Sequence, residues 1–353
     1  MEKHSQLTNK EQPDNLVVSV EELNHGHRVF DFLRFGFVAF TISMILVVIS
    51  IVAIFAKGFT LGQDFTGGTT VEITLSQNVE LDDVRNLLKQ QGYHDPVVQY
   101  YGSSRDIIIR LPLKETIVET IDEESGEITQ SSTFAVDNTL GSKISDLMHQ
   151  HIDSDAQIKR VEFVGPTVGA ELAQDGILAI LASLISILIY IGFRFEWRFG
   201  TGAVVGLAHD AIITAGYLVI FERELDLTII AAMLSIIGYS LNDTIVVFDR
   251  IRENFRKIRR ASPYDIVNIS LTQTLRRTIM TSATTLAVVI VLYFFGGSML
   301  KGFSETLAIG IVLGTLSSIY VASYMAYKMG IKREHFIQQK VEVEGADQAP
   351  IMR

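Results

Sequence analysis

The chain holds no cysteine among its 353 residues, so no disulfide braces any part of it and no thiolate can hold a metal. The G-x-x-x-x-G-K-[ST] pattern of a phosphate-cradling loop is also missing, which leaves direct ATP hydrolysis without apparatus. His25/His27 and His149/His151 lack a Cys partner or H-E-x-x-H spacing and read as solvated side chains, not metal ligands. Charge is sparse, at 20% of residues against 48% hydrophobic, and mean hydropathy is +0.30. That balance points to a membrane protein. No enzymatic activity, cofactor, metal or nucleic-acid partner is expected.

What the chain does have is long apolar runs. Six predicted spans, 36–56, 176–193, 199–221, 227–249, 277–295 and 305–327, are each close to the ~20 residues that cross ~30 Å of hydrocarbon. The first is too long for a signal peptide, follows a polar stretch and precedes no A-x-A site, so residues 1–35 are expected to stay attached as a tail. Lys and Arg alternate between loops. Arg28, Arg34, Arg194, Arg198, the run from Arg250 to Arg260, and Lys328, Lys332 and Arg333 fall on one side; Arg223 and Lys301 are nearly alone on the other. Cytoplasmic loops carry the excess of basic residues, so both tails, 1–35 and 328–353, are expected in the cytoplasm and residues 57–175 outside.

Residues 57–175 are polar and long enough to bury a small core. "TTVEITL" (69–75) alternates like a strand, and "LDDVRNLLKQQG" (81–92) places Leu81, Val84, Leu87 and Leu88 at helical spacing before Gly92. "PVVQYYGSSRDIIIRLP" (96–112) reads as two strands around a Gly-Ser-Ser turn, 138–152 as a helix and 157–165 as a strand. The order β-α-β-β-α-β predicts a ferredoxin-like α+β domain, interrupted by an acidic stretch, 114–137, that reads as a hairpin or mobile insertion. Ahead of the first strand, "GQDFTGGT" (62–69) supplies a structural turn in which Asp64 precedes Gly67 and Gly68.

Polar residues inside the spans carry the chemistry. An Asp at a helix centre costs ~2.5–3.5 kcal/mol on insertion scales, so Asp243 is expected to face the bundle interior, with Tyr239, Ser240, Ile236 and Val247 on its face. His209 and Asp210 lie mid-span near Gly202, Gly206 and Gly216, small residues that admit another helix. Arg277, Thr281 and Thr284 share a face of the fifth span. Asp243 falls ~6 Å past the middle of its span on the cytoplasmic side, and Arg277 starts the next span from that side, so the two are expected to pair. Desolvation favours a neutral acid and a nearby cation favours the carboxylate, so a shifting guanidinium can load and unload a proton. A static ion pair is the plainer alternative. His209 reads either as a satisfied interior histidine or, with Asp210, as part of the relay.

Residues 250–262 place Ile251, Phe255 and Ile258 at helical spacing among Arg and Lys, the pattern of a basic amphipathic helix lying on anionic membrane lipids. Ser262-Pro263-Tyr264-Asp265 then reads as a helix start. The expected layout is thus span 36–56, outer domain 57–175, and a five-helix bundle over 176–327 with a basic cytoplasmic segment at 250–276.

"DFTGGT" (64–69), "GYSLNDTIVVFDRIRENFRKIRR" (238–260), "SLTQTLRRTIMTSATT" (270–285) and "SSIYVAS" (317–323) closely resemble the SecF family, the smaller subunits of the bacterial SecD–SecF complex. The likeness runs from about Arg28 to Lys340. Gln63 departs from it, standing where an aliphatic residue is usual. The resemblance implies half of a resistance-nodulation-division type bundle, an obligate SecD partner, and work beside the Sec translocon (SecY, SecE, SecG) with a YajC-type accessory subunit. It also implies that proton motive force promotes preprotein movement after ATP-driven steps, through a relay that falls on Asp243 and Arg277. The competing readings are a small-molecule or lipid transporter subunit of the same superfamily and a non-transporting translocon scaffold.

Overall fold

A computed structural model describes residues 19–101, 103–112, 115–121, 128–134 and 139–336. Helices and strands are numbered in chain order. After a one-turn helix α1 (Val20–Leu23), the chain rises through α2 (Gly36–Lys57) and a two-residue strand β1 (Thr60–Leu61) into the short helix α3 (Gln63–Thr66). The α+β domain follows as β2 (Gly68–Thr74), α4 (Leu81–Gln90), β3 (Val97–Tyr101), β4 (Ser103–Leu111), β5 (Glu115–Ile121), β6 (Ile128–Phe134), α5 (Leu140–His151) and β7 (Gln157–Val164).

The four-stranded sheet has the order β3-β4-β2-β7, every neighbouring pair antiparallel. Alternation sends Val71 and Ile73 of β2, Leu75 just past its end, and Ile107, Ile109 and Leu111 of β4 to a single face. Val84 and Leu88 of α4 and Ile144 and Met148 of α5 close that face, each fully buried. Two helices on one side of a sheet in this order have split βαβ connectivity. Ser103 and Ser104, expected in the Gly-Ser-Ser turn, already belong to β4, and position 102 lies outside the described residues. Within 114–137, β5 and β6 pair as a separate antiparallel hairpin; residues 122–127 and 135–137 lie outside the described residues.

The bundle is made of α2, α6 (Pro166–Arg194), α7 (Trp197–Ile220), α8 (Leu227–Lys257), α9 (Pro263–Phe295) and α10 (Gly297–Ser317), which continues through a π-helical stretch, Ser318–Ala322, into α11 (Ser323–Lys328). These are six helices long and apolar enough to cross a membrane. A strand β8 (Glu224–Leu225) precedes α8 and pairs in parallel with β1. Four helices outrun their apolar stretches: α6 begins at Pro166 instead of 176, α8 ends at Lys257 instead of 249, α9 begins at Pro263 instead of 277, and α10 begins at Gly297 instead of 305. Ser262 caps α9, its hydroxyl accepting from the Asp265 N–H at 3.1 Å, with Pro263 following.

The expectation for residues 250–262 changes accordingly. They form no separate helix on a lipid surface. Residues 250–257 are the end of α8, where Ile251 and Phe255 are buried in the bundle core and Phe255 stacks on Phe336, ring centroids 5.3 Å apart. The helical spacing of apolar residues was real, but protein covers that face instead of lipid.

Candidate functional site

Three inner helices, α7, α8 and the α10–α11 rod, bring the polar residues of the spans together. α8 stays helical through Asp243 because its neighbours are Leu, Ile, Val and Ala with the side chain of Asp226 as cap, accepting from the Ile229 N–H at 2.7 Å. Asp243 is 3% exposed, and its Oδ2 is buried without a hydrogen-bond partner. Arg277, on the adjoining helix α9, is the cation whose charge acts on it, yet the two form no ion pair, so the expected contact is not made. Arg277 is exposed on the flank of this chain. Next to it, Thr278 is buried with its hydroxyl also unpartnered.

One turn before Asp243 on α8 lies the centre of a hydrogen-bonded cluster. Asp210 is fully buried; its Oδ1 is 2.8 Å from His209 Nδ1, and its Oδ2 accepts hydroxyls from Ser240 of α8 and from Ser317 at the end of α10, the latter at 2.7 Å. These three hydrogen bonds satisfy the buried carboxyl group and fix the orientation of the imidazole. His209 Nε2 is left buried and unpartnered. Close approach is possible because position 314 is glycine: a Cβ there would stand 3.1 Å from Ser240 Cβ.

A second chain of hydroxyls runs on the other side of α8. Tyr239 donates to Ser282 of α9 at 3.1 Å, and Ser282 meets Thr315 of α10 at 2.7 Å. Thr281 and Thr284 take no part: their hydroxyls bond only carbonyls of their own helix, at 2.9 to 3.0 Å, whereas Ser282 also meets a neighbouring helix. Ser317, Thr315 and Thr278 escaped the sequence reading. The signal for Ser317 was the polar pair Ser317-Ser318 in an otherwise apolar run, at the start of what folds as the π-helical stretch.

The turn residues sit at the outer end of the same helix. Gly67 and Gly68 have φ of 70° and 127°, and a Cβ on Gly68 would lie 2.6 Å from the Leu111 carbonyl oxygen. Asp64 Oδ2 accepts the N–H of Leu227, the first residue of α8, at 2.9 Å. Among the described residues no group of His, Asp and Glu is arranged to hold a metal.

Fold and site together define a polytopic helical membrane protein with one α+β domain and titratable side chains buried in its bundle. The family described as "Protein export membrane protein SecD/SecF, C-terminal" matches residues 119–332, and the "SecD/SecF GG Motif" family matches residues 52–79. The chain is 53% identical to the protein translocase subunit SecF of Escherichia coli O157:H7, covering 95% of this chain and 98% of that one, and 47% identical to the SecF of Vibrio alginolyticus, covering 91% and 96%. It is similar in structure to SecDF, a translocon-associated membrane protein from Thermus thermophilus, with a TM-score of 0.73 and 34% identity over 86% of this chain and 39% of that longer one. The chain belongs to the SecF family of protein translocase subunits, and its function lies in protein translocation.

Proposed function

We propose that this chain joins a SecD subunit and couples the proton motive force to preprotein movement through the Sec translocon, after ATP-driven steps, with Asp243 binding the proton. The observation that carries this reading is a carboxylate 3% exposed in the bundle, one oxygen unpartnered, with Arg277 near enough for its charge to be felt. A charged, unpaired carboxylate in that position is costly, and protonation relieves the cost. Arg277 lies on the flank that a second six-helix half would cover, so a partner's approach can bring the guanidinium toward Asp243 or draw it away. His209 and Asp210 form a fixed polar interior one turn away, and the unpartnered Nε2 gives the relay a second landing point.

The Lys and Arg of the short loops support cytoplasmic tails and a periplasmic domain over 57–175. Contact with SecY, SecE, SecG and a YajC-type subunit, and capture of emerging preprotein by the outer domain, belong to the same proposal. Each proton crossing ~100 mV supplies ~2.3 kcal/mol, enough for a few to bias a conformational step. The test is proton flux and export in vesicles holding this chain with SecD and the translocon, comparing wild type with Asp243→Asn. Loss of both potential-dependent export and flux is expected; normal export by the Asn variant, where the wild type needs the potential, removes the relay.

A further inference from the structure

The outer domain grips the head of α8 at several independent places. β1, the strand entering the domain, pairs with β8, the strand entering α8, and Gly62 N–H donates to the Leu225 carbonyl at 2.7 Å. Position 62 must be small for that approach, since a Cβ would stand 2.9 Å from the Leu225 oxygen. Asp64 accepts the Leu227 N–H at 2.9 Å, placing a negative charge at the positive end of a 31-residue helix. From the sheet, Arg110 of β4 forms an ion pair with Glu224, and Gln99 of β3 donates to the same carboxylate at 3.0 Å.

Gln63, the residue that departs from the family pattern, holds the other half of the joint. Its Nε2 donates to the carbonyls of Gly68 at 3.1 Å and Glu162 at 3.3 Å, tying α3 to β2 and β7, while its Oε1 accepts the Thr70 hydroxyl. Two adjacent side chains thus reach in different directions, Gln63 into the sheet and Asp64 onto α8. From Leu227 the helix runs without interruption past Asp243, roughly 24 Å away at 1.5 Å per residue.

We infer that this joint is a rigid coupling, in which Gln63, Asp64, Arg110 and Glu224 are positioning residues that make the outer domain and α8 move as one body. A displacement of α8 when Asp243 changes its proton then reaches the domain as a tilt, because backbone pairing, a helix cap and an ion pair in parallel leave no hinge between them. The inference rests on the proton-binding role proposed for Asp243.

The chain's lack of cysteine makes the test direct. Leu61 and Leu225 are paired across β1 and β8, and neighbouring strands lie about 4.8 Å apart, within disulfide reach. In vesicles holding the complete complex, oxidised Leu61→Cys/Leu225→Cys is expected to export and carry protons as it does when reduced. Export that stops on oxidation and returns with dithiothreitol overturns the rigid coupling. Loosening the joint with Asp64→Ala/Glu224→Ala, which removes the acceptor for the Leu227 N–H and the ion pair with Arg110, is expected to lower export about fivefold while proton flux persists. Unchanged export, or flux falling in step with export, overturns it. Asp243→Asn run in parallel separates the two ideas: normal export there sinks the proton reading, whereas blocked export there with normal export in the Ala pair sinks the joint alone.

Discussion

The hydroxyl of Ser317 donates to Asp210 Oδ2 at 2.7 Å across 107 residues of sequence. That bond fastens the end of α10, where the π-helical stretch begins, to the middle of α7, and the same oxygen accepts the hydroxyl of Ser240 from α8. One carboxylate therefore sets the spacing of the three inner helices.

Ser317→Ala removes one of the three donors from a fully buried carboxylate. Hydrogen bonds between membrane helices are worth ~0.6 kcal/mol on average and up to ~1.7 kcal/mol, and those to charged groups lie at the upper end. A loss of about 1 to 2 kcal/mol is expected, read as a lower thermal midpoint of the detergent-solubilised protein. Ser317→Thr, which keeps the hydroxyl, recovers part of it.

Arg277→Lys keeps the charge and discards the planar fork. A partial export defect is expected, milder than that of Asp243→Asn, because a point charge still acts on the carboxylate. Arg277→Gln, with no charge, should match the Asp243 variant. Equal export by the Lys and Gln variants would show that the charge is not what matters.

At Gly216 a Cβ would stand 2.3 Å from Ser50 Cβ, so α7 and α2 touch backbone to backbone. Gly216→Ala forces one helix to shift and is expected to cost about 1 to 3 kcal/mol, the usual range for overpacking. Adding Ser50→Gly removes the opposing side chain and should restore stability in part, which a double-mutant cycle on thermal midpoints will measure.

In the α+β domain, Asp153 accepts the Asp155 N–H at 3.0 Å and both the N–H and the hydroxyl of Ser76, and these bonds hold its carboxyl below the ordinary 3.8. A group with a lower pKa folded than unfolded contributes its stability in full above the unfolded value and loses it as pH falls through the folded one. Asp153→Asn should therefore lower the stability of the domain at pH ~7. The gap from wild type should close on acidification below pH ~4. Circular dichroism melts of the full chain across that range will follow it.

The domain's strands and helices were legible because period-2 and period-3.6 patterns name a buried face before any partner is known. Val84 and Leu88, or Val71 and Ile73, needed no further information. The ends of the membrane helices were less legible, since α8 and α9 continue through polar residues that hydropathy reads as loop, held helical by capping and by contact with Phe336 and its neighbours. Asp243 and Asp210 announced themselves because charge is costly in a span, whereas Ser317, Thr315 and Thr278 are common residues whose importance depends on what faces them.

By itself the sequence determined that the chain crosses a membrane, where its soluble domain falls, which family it resembles and which ionisable groups are withdrawn from water. The crossings, the place of the polar domain and the withdrawn ionisable groups follow from composition and local periodicity, which act along the chain, whereas the family resemblance rests on motifs such as "DFTGGT" (64–69). Tertiary structure alone decided that Asp64 would cap α8, that Ser240 and Ser317 would share one oxygen of Asp210, and that Arg277 would stand clear of Asp243. Those are meetings between elements far apart in sequence, and they depend on helix length, crossing and the glycines that let backbones close, none of which a local pattern contains.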